Sequence, residues 1–146
     1  MKFFLYAFFF LLSLTVRAQI GYEDYYSEKD LKSRIQYAKT LLDQVDANGM
    51  LAQHYKGVHQ DSLGDFYYKK ISDIAAHSND NNVVGRALWW DMRYHEDTAK
   101  AISLLQYAEQ YKQIGNAVAA NLFLSGYYIH TDLSLAEKYV LAAKKF

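Results

Sequence analysis

Residues 115–146 read GNAVAANLFLSGYYIHTDLSLAEKYVLAAKKF, a stretch that spells two helices folded back on each other. Its second half places small and apolar residues at Ala136, Val140 and Ala143. Thirty-five residues earlier the same spacing recurs as Ala101, Leu105 and Ala108, and it appears again, more weakly, as Gly64, Tyr68 and Ile71. Recurrence at that interval marks a helical-hairpin repeat, in which each pair of helices buries its apolar face on its neighbours. The expected fold class is therefore all-α, an array of about three hairpins preceded by one extra helix.

Working outward, the extra helix follows Ser27-Glu28-Lys29-Asp30, where a hydroxyl and a carboxylate three residues apart suit a helix start. Leu31, Ile35, Ala38, Leu42 and Val45 step by three and four, which predicts one helix ending at the turn cluster Asp46-Ala47-Asn48-Gly49. The first hairpin is then expected between Met50 and Ser78. It consists of a short helix around Leu51, Ala52 and Tyr55 closed by Gly57, and a second capped by Asp61 with Leu63, Tyr67, Ile71 and Ile74 on its buried face. Gly64 inside that helix makes sense where another helix crosses closely, since a helical glycine otherwise costs up to about 1 kcal/mol relative to alanine.

After the linker 78–82, the pattern predicts a helix over 83–94, a turn at His95-Glu96-Asp97, and a helix over 98–112 that buries Ala101, Leu104, Leu105, Ala108 and Tyr111. Gln113 to Asn116 then joins it to the opening stretch. There Val118, Leu122, Ser125 and Ile129 form one stripe, and Ala119, Phe123, Tyr127 and His130 a second.

Composition bounds what such an array could do. Residues 1–18 read as an export signal: Lys2, an apolar run from Phe3 to Val16, and a small-residue cleavage site ending at Ala18. The alternative is an uncleaved anchor formed by residues 3–16, although a comfortable span needs about 20 apolar residues. Residues 19–27 form an extended lead-in, and 28–146 the helical domain. Removal of the signal leaves fourteen basic against sixteen acidic residues, a charge of −2. That balance lacks the basic patch expected of a nucleic-acid binder. The chain has no cysteine, which excludes disulfides and lipid attachment at cysteine, and no proline, which suits helices joined by Gly, Asn and Asp turns.

Enzyme and metal signals are absent from the pattern. His54, His59 and Asp61 do not share a helical face, and no HExxH occurs. No Gly-x-Ser-x-Gly elbow, phosphate loop or dinucleotide fingerprint is present. Paired carboxylates such as Asp43 with Asp46, or Glu23 with Asp24, fall at helix ends or in the lead-in. The expectation is a non-enzymatic chain without a metal or cofactor; an all-helical enzyme with a dispersed site is the third-ranked alternative.

The positions quoted above resemble the tetratricopeptide repeat superfamily, and within it the proline-poor arrays of the MalT-like and sensor-kinase-associated kind. In that family small residues sit where the two helices of a repeat cross. Gly126 with Ala136, and Ala52 with Gly64 twelve residues later, match those positions, as do Ala101, Ala108 and Ala143 in the second helices. The middle pair departs at Trp90-Asp91-Met92, where a small residue would be expected. The resemblance covers roughly residues 30–146.

It implies a curved stack, an α-solenoid, whose inner surface is lined by the first helix of each pair and holds peptides, extended protein segments or partner helices. Carried onto this chain, that surface would use Leu88, Trp89, Met92 and His95 from the middle pair and Phe123, Tyr127 and His130 from the last, with Arg86, Arg93 and Asn121 for polar contacts. Trp, Tyr and Arg are the residues binding hot spots favour, although each member singly also suits ordinary packing. The implied context is an exported protein-binding module, including the sensory region of a histidine kinase or transcriptional regulator. Because Leu141 to Phe146 lacks a capping helix, further repeats or another chain are expected to cover that face. The alternative function is thus a scaffold that self-associates, or joins an envelope complex, through its C-terminal face.

Overall fold

The computed structural model describes residues 26–145. The export signal and most of the lead-in lie outside the described residues. Seven helices follow in order: α1 (Glu28–Tyr37), α2 (Leu41–Gly57), α3 (Asp61–Ala76), α4 (Asn81–His95), α5 (Thr98–Gln110), α6 (Ile114–Tyr128) and α7 (Leu133–Ala143), with no strand among the described residues. The architecture is all-helical and repeat-like. The hairpins α2–α3, α4–α5 and α6–α7 pack in sequence, each second helix against the first helix of the next pair. First helices also touch one another, α2 with α4 and α4 with α6.

Side-chain caps explain most of the helix starts. The Ser27 Oγ accepts from the Asp30 N–H at 3.2 Å, Asp80 from Asn82 and Asp97 from Ala99 at 2.8 Å each, and Asp132 from Leu135 at 2.9 Å. Each satisfies a backbone donor that the first helical turn leaves unpaired. Asp61 behaves differently from expectation: Gln60 occupies the cap position with no side-chain bond, and Asp61 lies in the first turn of α3. There its charge faces the positive end of the helix.

The largest departure from the sequence reading is at α1 and α2. The single helix expected up to Val45 is broken at residues 38–40, and the expected turn 46–49 lies inside α2. Thr40 supplies the reason. Its Oγ1 accepts from the Asp43 N–H at 3.0 Å while the Asp43 carboxylate accepts from the Thr40 N–H at 3.1 Å, a reciprocal capping box that starts a new helix. The Thr40 hydroxyl, and after it the Thr40 backbone N–H, hold the Asp43 carboxyl below its ordinary range. α1 then folds back antiparallel to α2, with Tyr55 Oη donating to Glu28 at 2.8 Å.

Smaller corrections concern ends and faces. α2 ends at Gly57, and the positive φ of the following turn falls on His59 rather than on glycine. α5 stops at Gln110, Lys112 takes a positive φ, and α6 begins at Ile114 inside the expected linker. Leu63 and Tyr111, expected inside, are exposed. Both lie near helix ends, where few neighbours are available to cover them.

Three apolar clusters make the core. Leu31, Leu51 and Tyr55 join α1 to α2. Val45, Ile71, Val83, Ala87 and Trp90 join α2, α3 and α4. Met92, Ala101, Leu104, Ala120 and Leu124 join α4, α5 and α6. Burying a leucine such as Leu104 contributes about 1.5–3 kcal/mol, so each cluster favours its own helix pairing. On α6 the buried residues are Ala117, Ala120, Asn121, Leu124 and Ser125, not either predicted stripe in full. That helix is apolar almost all round, and small residues decide which side lets α5 and α7 approach.

The expected crossing residues divide. Ala52, Gly64, Ala101, Ala108 and Ala136 are buried, and a Cβ built on Gly64 would lie 3.2 Å from the Ala52 carbonyl oxygen. Ala143 is half-buried. Gly126 is exposed and a Cβ there would meet nothing within 4 Å, so it is not at a helix crossing. The neighbouring Ser125 is buried instead.

Candidate functional site

α4 carries Arg86, Trp89, Trp90 and Arg93, spaced so that all four lie on one face of the helix. Asp46 on the adjacent α2 organises them. One of its carboxylate oxygens accepts the Trp90 indole N–H at 2.8 Å and lies 3.4 Å from the Arg86 Nε. The Trp90 ring is thereby held flat over Gly49, where a Cβ would sit 2.1 Å from ring carbon Cδ2. Only glycine lets α2 and α4 approach in this way.

With Trp90 fixed, Trp89 stands perpendicular to it, ring centroids 4.8 Å apart. The guanidinium carbons of Arg86 and Arg93 lie 5.5 and 4.9 Å from the Trp89 ring centre, and that of Arg93 lies 6.0 Å from Trp90. Each cation–π contact contributes roughly 0.5–1 kcal/mol at an exposed site. The result is a ladder of two guanidiniums and an indole, half-buried, along the layer of first helices. Phe123 of α6 packs with Trp89 against the same cluster and extends the surface.

The other expected members are distributed differently. Met92 and Asn121 are buried, Met92 in the α4–α6 core and Asn121 with its Nδ2 donating to the Ala117 carbonyl at 2.9 Å, so neither reaches the surface. Leu88 is a half-buried neighbour of that core. Tyr127 is exposed, edge-on to Tyr128, and His130 is exposed in the turn after α6.

His95 lies on the face of α4 opposite the ladder. It contacts the Tyr68 and Tyr94 rings edge-on, and its Nε2 is 3.4 Å from an Asp91 oxygen. Asp91 also accepts from Tyr68 Oη and pairs with Lys100 at 3.0 Å. Burial first, and then this bond to Asp91, pushes the Tyr68 phenol up to about 12. Tyr94, stacked on Tyr68 and donating to Asp65 at 2.8 Å, is raised for the same two reasons. These groups satisfy one another and tie α3, α4 and α5 together. No group of three metal-ligating side chains occurs among the described residues.

Sequence reasoning missed Asp46, Gly49 and the buried Trp90 as the groups that hold the ladder in place. The available signal was continuity: Val45, Ala52 and Tyr55 maintain helical spacing through the supposed turn. No helix of the described residues is long and apolar enough to cross a membrane. No family model, no curated protein and no solved structure matches this chain.

Proposed function

We propose that the chain is an exported, non-enzymatic tetratricopeptide-like module, an α-solenoid that holds a peptide or extended protein segment along the layer formed by α2, α4 and α6. The observation that carries this reading is the Arg86–Trp89–Arg93 ladder on α4, with Asp46 beside it. An aromatic ring held between fixed neighbours offers contact area at little entropic cost, and guanidiniums add directional donors. The lysine and apolar run of residues 1–18 support a location outside the cytoplasm, as a free protein or as the sensory region of a signalling protein.

Panning a displayed library of extended peptides against the purified chain tests the reading. Enriched peptides should bind at least tenfold more weakly to Arg93→Ala and Trp89→Ala, and equally well to the surface variant Glu137→Ala. Enrichment of nothing, or of peptides indifferent to the ladder variants while these remain helical, refutes it. A second reading, a self-associating scaffold, is favoured by α7, whose Leu133 and Leu141 are 49% and 50% exposed on one face. Sedimentation over a wide concentration range, with Leu141→Glu as control, separates the two.

A further inference from the structure

We infer that the chain carries a second site, independent of the ladder, for a small zwitterion with an aliphatic side chain, the chemistry of a free aliphatic α-amino acid. The site is a cleft of about 420 Å³ lined by Ile35 of α1, Gln44 and Asn48 of α2, and Lys70, Asp73 and Ile74 of α3. That volume suits a small ligand. α1 and α3 both pack on α2, which forms the floor. Gln44 and Asn48 each lie two positions from Asp46, so at about 3.6 residues per turn they point away from it, to the side of α2 remote from the ladder.

The floor holds an acceptor with no donor. Asn48 is 4% exposed, its Nδ2 donates to the Gln44 carbonyl at 2.7 Å, and its Oδ1 has no hydrogen-bond partner among the described residues. Buried carbonyl oxygens are almost always paired, because an unpaired one has given up its bonds to water for nothing. An asparagine at this position, where leucine would fill the same space, makes sense if a donor arrives from outside the chain. The long side chains of Gln44 and Lys70 line the same cleft and can give way to it.

The rim supplies two opposite charges. Lys70 and Asp73 are exposed, about one helical turn apart, and form no ion pair with each other or with another described residue. The Lys70 ammonium lies instead 4.5 Å from the centre of the Phe66 ring. A ligand with an ammonium and a carboxylate on one carbon fits between them: its carboxylate accepts from Lys70 Nζ, and its ammonium donates to the Asp73 carboxylate and to Asn48 Oδ1. Charge-assisted bonds of this kind are the strong ones. Ile35 and Ile74, both half-buried, then cover an aliphatic side chain. A bare amine would bring its charge against Lys70, and a bare carboxylate against Asp73, so the zwitterion is the form that satisfies both.

NMR of the purified chain tests this through the side-chain amide resonances of Asn48 and Gln44, with L-leucine, leucinamide and N-acetylleucine as probes. Leucine should shift both resonances. The two singly charged analogues should bind roughly tenfold more weakly or worse, each lacking one charge-assisted contact. Lys70→Gln and Asp73→Asn, at exposed positions, should each weaken leucine by a similar factor, whereas Trp89→Ala at the ladder should leave it unchanged. Asn48→Leu should abolish leucine binding without lowering the urea midpoint, because the unpaired acceptor is gone while the Gln44 carbonyl keeps its helical bond. No shift with leucine at millimolar concentration overturns the inference. Equal binding of leucinamide makes the cleft an amine site and overturns it too. A lower urea midpoint for Asn48→Leu, or leucine binding indifferent to Lys70→Gln and Asp73→Asn, makes these residues structural and overturns it equally.

Discussion

Gly49→Ala is the substitution on which the account of α2 and α4 depends most directly. In an exposed helix it would stabilise by about 1 kcal/mol through backbone entropy. Here the new Cβ would stand 2.1, 2.3 and 2.7 Å from three atoms of the Trp90 indole. A rigid ring cannot yield by rotating one bond, so Trp90 or the helices must shift. Overpacking of that kind costs typically about 1–3 kcal/mol. Displacing Trp90 also strains its bond to Asp46, which contributes roughly 1.5–3 kcal/mol as a hydrogen bond to a charged group. Setting the propensity gain against these losses, the variant should be destabilised by about 2–4 kcal/mol. Gly126→Ala is the internal control: its Cβ would meet nothing within 4 Å, and it should stabilise by about 0.5–1 kcal/mol. Urea unfolding followed by circular dichroism and tryptophan fluorescence gives both values. A Gly49→Ala protein as stable as the wild type would refute the close approach of α2 and α4 under Trp90.

Thr40→Ala removes one half of the capping box and should cost about 1 kcal/mol in the same assay, with Thr40→Ser restoring most of it. The raised Tyr68 phenol predicts an alkaline effect: its contribution is fully present below the unfolded value of 10.0 and is lost as pH rises through about 12. Urea midpoints should therefore fall across that window, and Tyr68→Phe should fall less steeply; an unchanged slope would detach Tyr68 from the Asp91 cluster.

The sequence by itself determined that the chain is helical, where most helices begin, and that hairpins recur. Asp80, Asp97 and Asp132 act through bonds to residues two or three positions away, and such local chemistry is readable from spacing alone. Ala101, Ala108 and Ala136 were legible for a related reason, because a small residue recurring on one helical face has few uses besides close packing. Tertiary structure decided what spacing left ambiguous. Asp46-Ala47-Asn48-Gly49 has the composition of a turn, yet contacts with Trp90, forty-one residues beyond Gly49, keep it helical. Gly126 had the right character for a crossing and faces solvent, since α6 is apolar on every side and only its neighbours choose the buried face. The ladder was half legible: Arg86, Trp89 and Arg93 share a face by periodicity, while His95 and Met92 were assigned to it although their positions around α4 turn them to α3 and α6. Local bonds are encoded within a few residues, whereas the buried side of a uniformly apolar helix depends on partners that meet only when the chain has folded.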